Sequence, residues 1–133
     1  MAPTRLASAK LLIPPAHYEE RLQMPEISFE EFAKLELKVG KIIGCEPVEG
    51  SDKLYKLTVR IGGEVRTLAA GLAKNYAPDE LLGRKVVVVA NLAPKTLKGV
   101  ESHGMLLAAE DEKGNLGLLT PDNEEVQDGA QVH

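Results

Sequence analysis

Short runs in which apolar residues alternate with polar or small ones recur along the chain, divided by glycine-bearing turns. Leu37 to Cys45 opens the series, with Leu37, Val39 and Lys41 along one side of an extended segment. Its Gly40 and Gly44 predict a bulge or sharp curvature. Leu54 to Ile61 sets Leu57, Val59 and Ile61 on one face, and Gly62-Gly63 predicts a hairpin into a third strand, Glu64 to Ala69. Val86 to Val89 is an unbroken apolar run, the pattern of a strand buried on both faces. Met105 to Ala109 and Leu116 to Leu119 complete the set, joined by a turn at residues 112–115. Two helical segments interrupt the strands. Ser28 and Glu31 have capping-box spacing ahead of a helix over Phe29 to Leu35. Pro78 to Leu82 suits one or two helical turns with proline near the first position.

Many short strands with glycine turns indicate an all-β barrel or sandwich. A helix between the third and fourth strands is the arrangement of a five-stranded OB-fold barrel, here with short helices and terminal extensions. The domain is expected to occupy residues 27–133. Residues 1–26 form an N-terminal extension, in which Pro3, Pro14, Pro15 and Pro25 prevent a long helix. Its apolar stretch Leu11-Leu12-Ile13 is either an arm docking on the domain or a second subunit, or a loose leader.

Length and composition narrow the class. The chain has 133 residues, 44% apolar and 27% charged, as in an ordinary soluble domain. Aromatics are 4%, so aliphatic side chains must fill the core. No apolar run approaches the roughly 20 residues of a membrane helix, and the N-terminus lacks a secretory pattern. Cys45 is alone, so no internal disulfide forms. The expectation is a cytoplasmic protein with no membrane association. The net charge of −4 argues against a polyanionic partner for the chain as a whole. Its distribution changes that picture: residues 32–109 carry +4, residues 1–31 carry −2 and residues 110–133 carry −6.

Catalytic patterns are missing. There is no nucleophile elbow, phosphate-binding glycine loop or His-Glu-x-x-His, and His17, His103 and His133 lack ligand spacing. No catalytic residue, metal or cofactor is expected. Cys45 reads as a small packing residue. Binding is better supported, because Lys53, Arg66, Lys74, Lys95 and Lys98 recur at or beside loops of the basic segment. Asn91, Thr96, Ser102 and His103 lie among them. Cations with small polar neighbours suit phosphate and sugar contacts; a single loop lysine is better explained by solvation, and it is their clustering in the basic segment that shifts the balance. Aromatics that could stack bases are limited to Tyr55, Tyr76 and Phe32 in this part, which favours reading a folded RNA by shape and backbone over reading single strands.

Five ordered stretches then carry a resemblance: residues 32–40 (FAKLELKVG), 50–57 (GSDKLYKL), 66–72 (RTLAAGL), 86–95 (VVVVANLAPK) and 97–108 (LKGVESHGMLLA). Together they resemble the tRNA-binding domain at the C-terminus of many methionyl-tRNA synthetases, free-standing dimeric tRNA-binding proteins and the endothelial-monocyte-activating polypeptide II family, with small bacterial secretion chaperones as further relatives. The resemblance covers residues 27–133. It implies an OB-fold homodimer, paired through the N-terminal helix region and a C-terminal extension, that binds the tRNA body without enzymatic activity and assists aminoacylation, the methionyl system first. By motif it assigns RNA contact to Lys53, Arg66, Asn91, Lys95 and Ser102, with Met105 either contact or core; Lys74 and Lys98 join them from the charge pattern. His103 departs from the Gln or Glu common in the family at that place. The implied partners are tRNA, a second copy and a methionyl-tRNA synthetase catalytic chain. The segment from Leu118 through Val132 resembles the extension of the tRNA-binding branch. The alternatives are a chaperone-like dimer that holds peptides and a scaffold that docks a synthetase.

Overall fold

Strand β1 (Leu37–Pro47) is the hub of the molecule. In the computed structural model, which describes residues 25–133, its first half pairs antiparallel with β4 (Lys85–Val89), Val39 opposite Val87. Its second half pairs with β2 (Tyr55–Ile61), Cys45 opposite Leu57. The register shifts between Ile42 and Gly44, a bulge at the expected place. Gly40 is required here, since a Cβ would stand 2.6 Å from Val59 Cγ1 inside the barrel.

Leu37, Val39 and Lys41 lie outside, while Gly40 and Ile42 point inward. Beyond the extra residue, Ile43, the parity changes and Cys45 faces the core. Alternation read along an unbroken strand cannot anticipate that reversal.

β2 continues into β3 (Glu64–Ala70) through the Gly62-Gly63 turn. After α2 (Pro78–Leu81) and β4 the chain forms a hairpin, β5 (Lys95–Leu97) and β6 (Val100–Ser102). β7 (Met105–Leu106) then pairs with β4, giving the order β3-β2-β1-β4-β7. The sheet curls until its ends meet. His103 N–H donates to Thr67 C=O at 2.9 Å, and Ser102 Oγ accepts from Ala69 N–H at 3.0 Å. This is the all-β OB-like barrel. Ile42, Leu57, Val59, Leu68, Leu81, Val86 and Val88 fill it without exposed surface.

Val87 and Val89 are also buried, but on the outer face, as expected for the valine run. The Met105–Ala109 run is two strands, not one. At Leu107 the chain leaves β4 and continues as β8 (Ala108–Glu110), paired with β9 (Leu116–Leu118). The turn between them is closed by Asp111, whose carboxylate accepts from Lys113 and Asn115 backbone N–H groups and from Asn115 Nδ2. These bonds hold the Asp111 carboxyl below its usual range. A C-terminal strap then ends in β10 (Gln131–Val132), which pairs with the start of β1. Asp128 fastens it: its carboxylate accepts from Arg60 Nη2 at 3.0 Å and from Gly62 N–H at 2.8 Å. Lys85 Nζ donates to the carbonyls of Glu124 and Val126.

The barrel and strap lie in one compact unit, residues 33–133; the described residues 25–32 belong to another. Helix α1 (Phe29–Phe32) belongs to the latter and is shorter than expected. Its capping box is present, with Glu31 N–H donating to Ser28 Oγ at 3.1 Å and Ser28 N–H to Glu31 Oε1 at 3.4 Å. The expected leader, residues 1–26, lies outside the described residues except for Pro25 and Glu26.

Candidate nucleic-acid interface

The outer face of β2 and β3 is built by alternation. Tyr55, Leu57, Val59 and Ile61 point inward, so Lys56, Thr58 and Arg60 must point outward. Cross-strand pairing sets Lys56 beside Ala69, Thr58 beside Thr67 and Arg60 beside Val65. Arg60 is engaged with Asp128, whereas no acidic group pairs with Lys56 among the described residues. The β5–β6 hairpin borders this face. Its turn is Lys98-Gly99, with φ of 49° and 83°. Two consecutive left-handed residues make the tight turn whose twist matches a hairpin. The turn exposes the Lys98 side chain, and Lys95 is exposed on the adjoining strand.

The seven candidate residues fall into three groups. Lys53 and Lys74 share one end of the face: Ala73 N–H donates to Lys53 C=O at 3.0 Å, and Lys74 Nζ is 3.8 Å from Asp52. Lys53 is exposed, and the Lys74 side chain is open to solvent. Lys95 and Lys98 stand on the hairpin with Ser102 and Arg66 behind them. Ser102 is 5% exposed; its hydroxyl accepts from Ala69 N–H and donates to Gly104 C=O at 3.0 Å. Arg66 Nη1 donates to the carbonyls of Ala90 and His103, and Nη2 to Glu64 at 2.9 Å. Asn91 is elsewhere. Its amide ties the start of β1 to the end of β4, accepting from Glu36 N–H at 2.8 Å and donating to Lys34 C=O at 2.6 Å. Ser102 and Asn91 thus have their polar atoms engaged within the fold, and Arg66 most of its own. Met105 is 46% exposed.

Two grooves lie on this side. One of about 530 Å³ is lined by Val65, Arg66, Thr67, Leu92, Pro94 and His103, with Glu64 at its edge. The other, about 280 Å³, is lined by Lys56, Thr67, Gly99, Val100, Glu101 and His103. The two tyrosines that could offer stacking surfaces in this unit are occupied. Tyr55 is buried with its hydroxyl donating to Tyr76 C=O at 2.7 Å, and Arg84 covers the Tyr76 ring at 5.5 Å. Burial, with Glu46 as a smaller cause, pushes the Cys45 thiol up, which suits packing and not nucleophilic attack. Among the described residues no group of three or more His, Cys, Asp or Glu side chains could hold a metal ion, and no helix is long and apolar enough to cross a membrane.

A meander closed by a returning strand, with free cations over β2, β3 and the hairpin, is a geometry in which OB folds hold oligonucleotides. The family model described as "Putative tRNA binding domain" matches residues 37–131, the whole barrel and most of the strap. The chain belongs to this tRNA-binding domain family. The chain is 56% identical over 110 residues to the methionine–tRNA ligase of Pyrococcus furiosus, covering 83% of this chain and 15% of that protein. With the methionine–tRNA ligase of Deinococcus radiodurans it shares 55% over 93 residues, covering 70% and 14%. The chain therefore spans about one seventh of the length of these synthetases. Among solved structures, a MetRS related protein from Pyrococcus horikoshii superposes with a TM-score of 0.78 at 43% identity, covering 83% of this chain and all of that one. The chaperone CsaA from Bacillus anthracis superposes at 0.73 with 27% identity, covering 82% and all of that chain.

Sequence reasoning missed two features of this face. Lys56 sits inside strand β2, and a search for cations at loops does not reach it; strict alternation along β2 marks it as outward. The Lys98-Gly99 turn lacks the Asn-Gly or Asp-Gly that marks such hairpins, so its segment reads as loop.

Proposed function

We propose that this chain is a non-catalytic tRNA-binding module that grips the RNA backbone through the outer face of β2 and β3 and the β5–β6 hairpin. The observation that carries it is the concentration of free cations, Lys53, Lys56, Lys95 and Lys98, on one side of a barrel whose family model is a tRNA-binding domain. Lys74 adds a weakly paired cation. Arg66 and Ser102 serve by holding the segments beside the hairpin lysines, and Asn91 by tying β1 to β4. Charge-assisted contacts to phosphate fix position and carry no sequence information, so recognition is by shape. The acidic strap lies against β1 and Lys85, engaged with the fold.

The likeness to the synthetases supports an accessory role in aminoacylation, with a methionyl-tRNA synthetase as partner, in the cytoplasm. Residues 27–133 would act as the working domain and residues 1–26 as its extension. The apolar groove of about 510 Å³ lined by Val39, Val87, Leu118, Leu119, Pro121 and Val126 supports pairing of two copies. Two linked sites raise avidity without any new interaction; sedimentation equilibrium reads the stoichiometry.

Titration with folded bulk tRNA and an unstructured oligonucleotide, at low and moderate salt, tests the function. Preferential, steeply salt-sensitive binding of tRNA is expected. Peptide binding that survives high salt, with no tRNA binding, would favour a chaperone-like module such as the CsaA fold hosts.

A further inference from the structure

The two grooves beside β3 meet at Thr67 and His103. His103 is fixed at that junction by its backbone. Its N–H donates to Thr67 C=O at 2.9 Å, and its C=O accepts from Arg66 Nη1 at 3.3 Å. The side chain is free of the core, 44% exposed, with Nε2 3.3 Å from Glu101 Oε1. Glu101 is itself exposed. On one side of the imidazole are Lys56 and Glu101. On the other are exposed Val65 and Leu92, with Pro94. Since Tyr55 and Tyr76 are occupied, His103 is the unsaturated ring that these grooves present.

The junction therefore offers four things within one track: a flat ring on a rigid backbone, an apolar wall, a cation and a carboxylate. A nucleotide has the matching parts. Bases stack on imidazole as on other aromatic rings, phosphate pairs with an ammonium group, and a carboxylate accepts from an exocyclic amino group, as from cytosine N4. The carboxylate also repels phosphate, which orients the nucleotide. We propose that an unpaired nucleotide seats across β3 at this junction, its base against His103, its amino edge toward Glu101 and its phosphate on Lys56. This deepens the RNA-binding reading and rests on it. Shape recognition of the RNA body is then joined by one point of base readout, which disfavours uracil because it has no amino group.

The test uses the full chain, short single-stranded oligocytidylate and oligouridylate, and folded bulk tRNA. Backbone amide shifts are followed by NMR while each RNA is added. Oligocytidylate is expected to move Thr67, Glu101 and His103 and to bind more tightly than oligouridylate. His103→Ala should weaken oligocytidylate about tenfold, within the range of a single base stack; His103→Phe should restore most of it. Glu101→Gln should narrow the difference between the two oligonucleotides. Equal binding of both, or shifts confined to the lysine-bearing loops, overturns the nucleotide seat while salt-sensitive tRNA binding leaves the module's function standing. Failure of every RNA to bind overturns both.

Discussion

The barrel has two outer faces made of similar residues and put to different ends. Over β1 and β4, Val39 and Val87 are buried beside the strap, and one cation on that side, Lys85, donates to two strap carbonyls. Over β2 and β3, Lys56 and the hairpin lysines have no such partners, and the grooves stay open. Arg60 marks the border: it points outward from β2 like Lys56, yet Asp128 of the strap holds it. The difference teaches that residue type does not distinguish a structural cation from a binding cation. What distinguishes them is whether the chain's own acceptors reach the charge.

The largest test of this contrast is on the covered face. Gly129 has φ of 93°, and a Cβ there would stand 2.8 Å from Gly62 Cα. Gly129→Ala should loosen the strap and cost about 2–5 kcal/mol in chemical denaturation, from the left-handed backbone and the overpacking together. Arg66→Ala comes next. It removes hydrogen bonds to two carbonyls and a carboxylate, so a drop of about 1–3 kcal/mol is expected together with weaker tRNA binding. An unchanged melting temperature would show that Arg66 does not hold the loop.

Asp128→Asn should cost about 1 kcal/mol at neutral pH, and the cost should depend on pH. Arg60 and Gly62 hold the Asp128 carboxyl below its usual value, against the opposing effect of burial. Its stabilising contribution is therefore full above the unfolded carboxylate range, near pH 4, and disappears as pH falls through the lower folded value. Urea denaturation of both proteins should give curves that converge in acid; a constant difference down to acid pH would rule out the carboxylate as its source. The smallest stability effect belongs to the open face. Lys95→Ala should leave unfolding within about 0.5 kcal/mol of wild type and yet weaken tRNA binding.

The same division explains what is legible in the sequence. The first four strands, the Gly62-Gly63 turn, the Ser28 capping box and the doubly buried β4 follow from local patterns, and the structure has them. The inner face of β1 does not follow, because a one-residue bulge at Ile43 reverses parity beyond it. The β5–β6 hairpin is hidden because its left-handed turn begins with lysine. Lys53, Arg66, Lys74, Asn91, Lys95, Lys98 and Ser102 can be picked by type and motif. Which of them face solvent cannot, since Ala90, Ala69 and Glu36, which engage Arg66, Ser102 and Asn91, lie 24, 33 and 55 residues away in the chain. Lys56 escapes notice for the converse reason: its exposure is a property of the sheet and not of a loop.

The central claim is that the free lysines of the β2–β3 face and the hairpin contact phosphate. The most direct measurement is the slope of log K against log salt for folded tRNA, in wild type and in a Lys56→Ala/Lys95→Ala double variant. Removing one lysine–phosphate pair should lower the slope by about one, so the double variant is expected to be shallower by about two with its melting temperature unchanged. An identical slope in the two proteins would contradict the account and place the RNA on another surface.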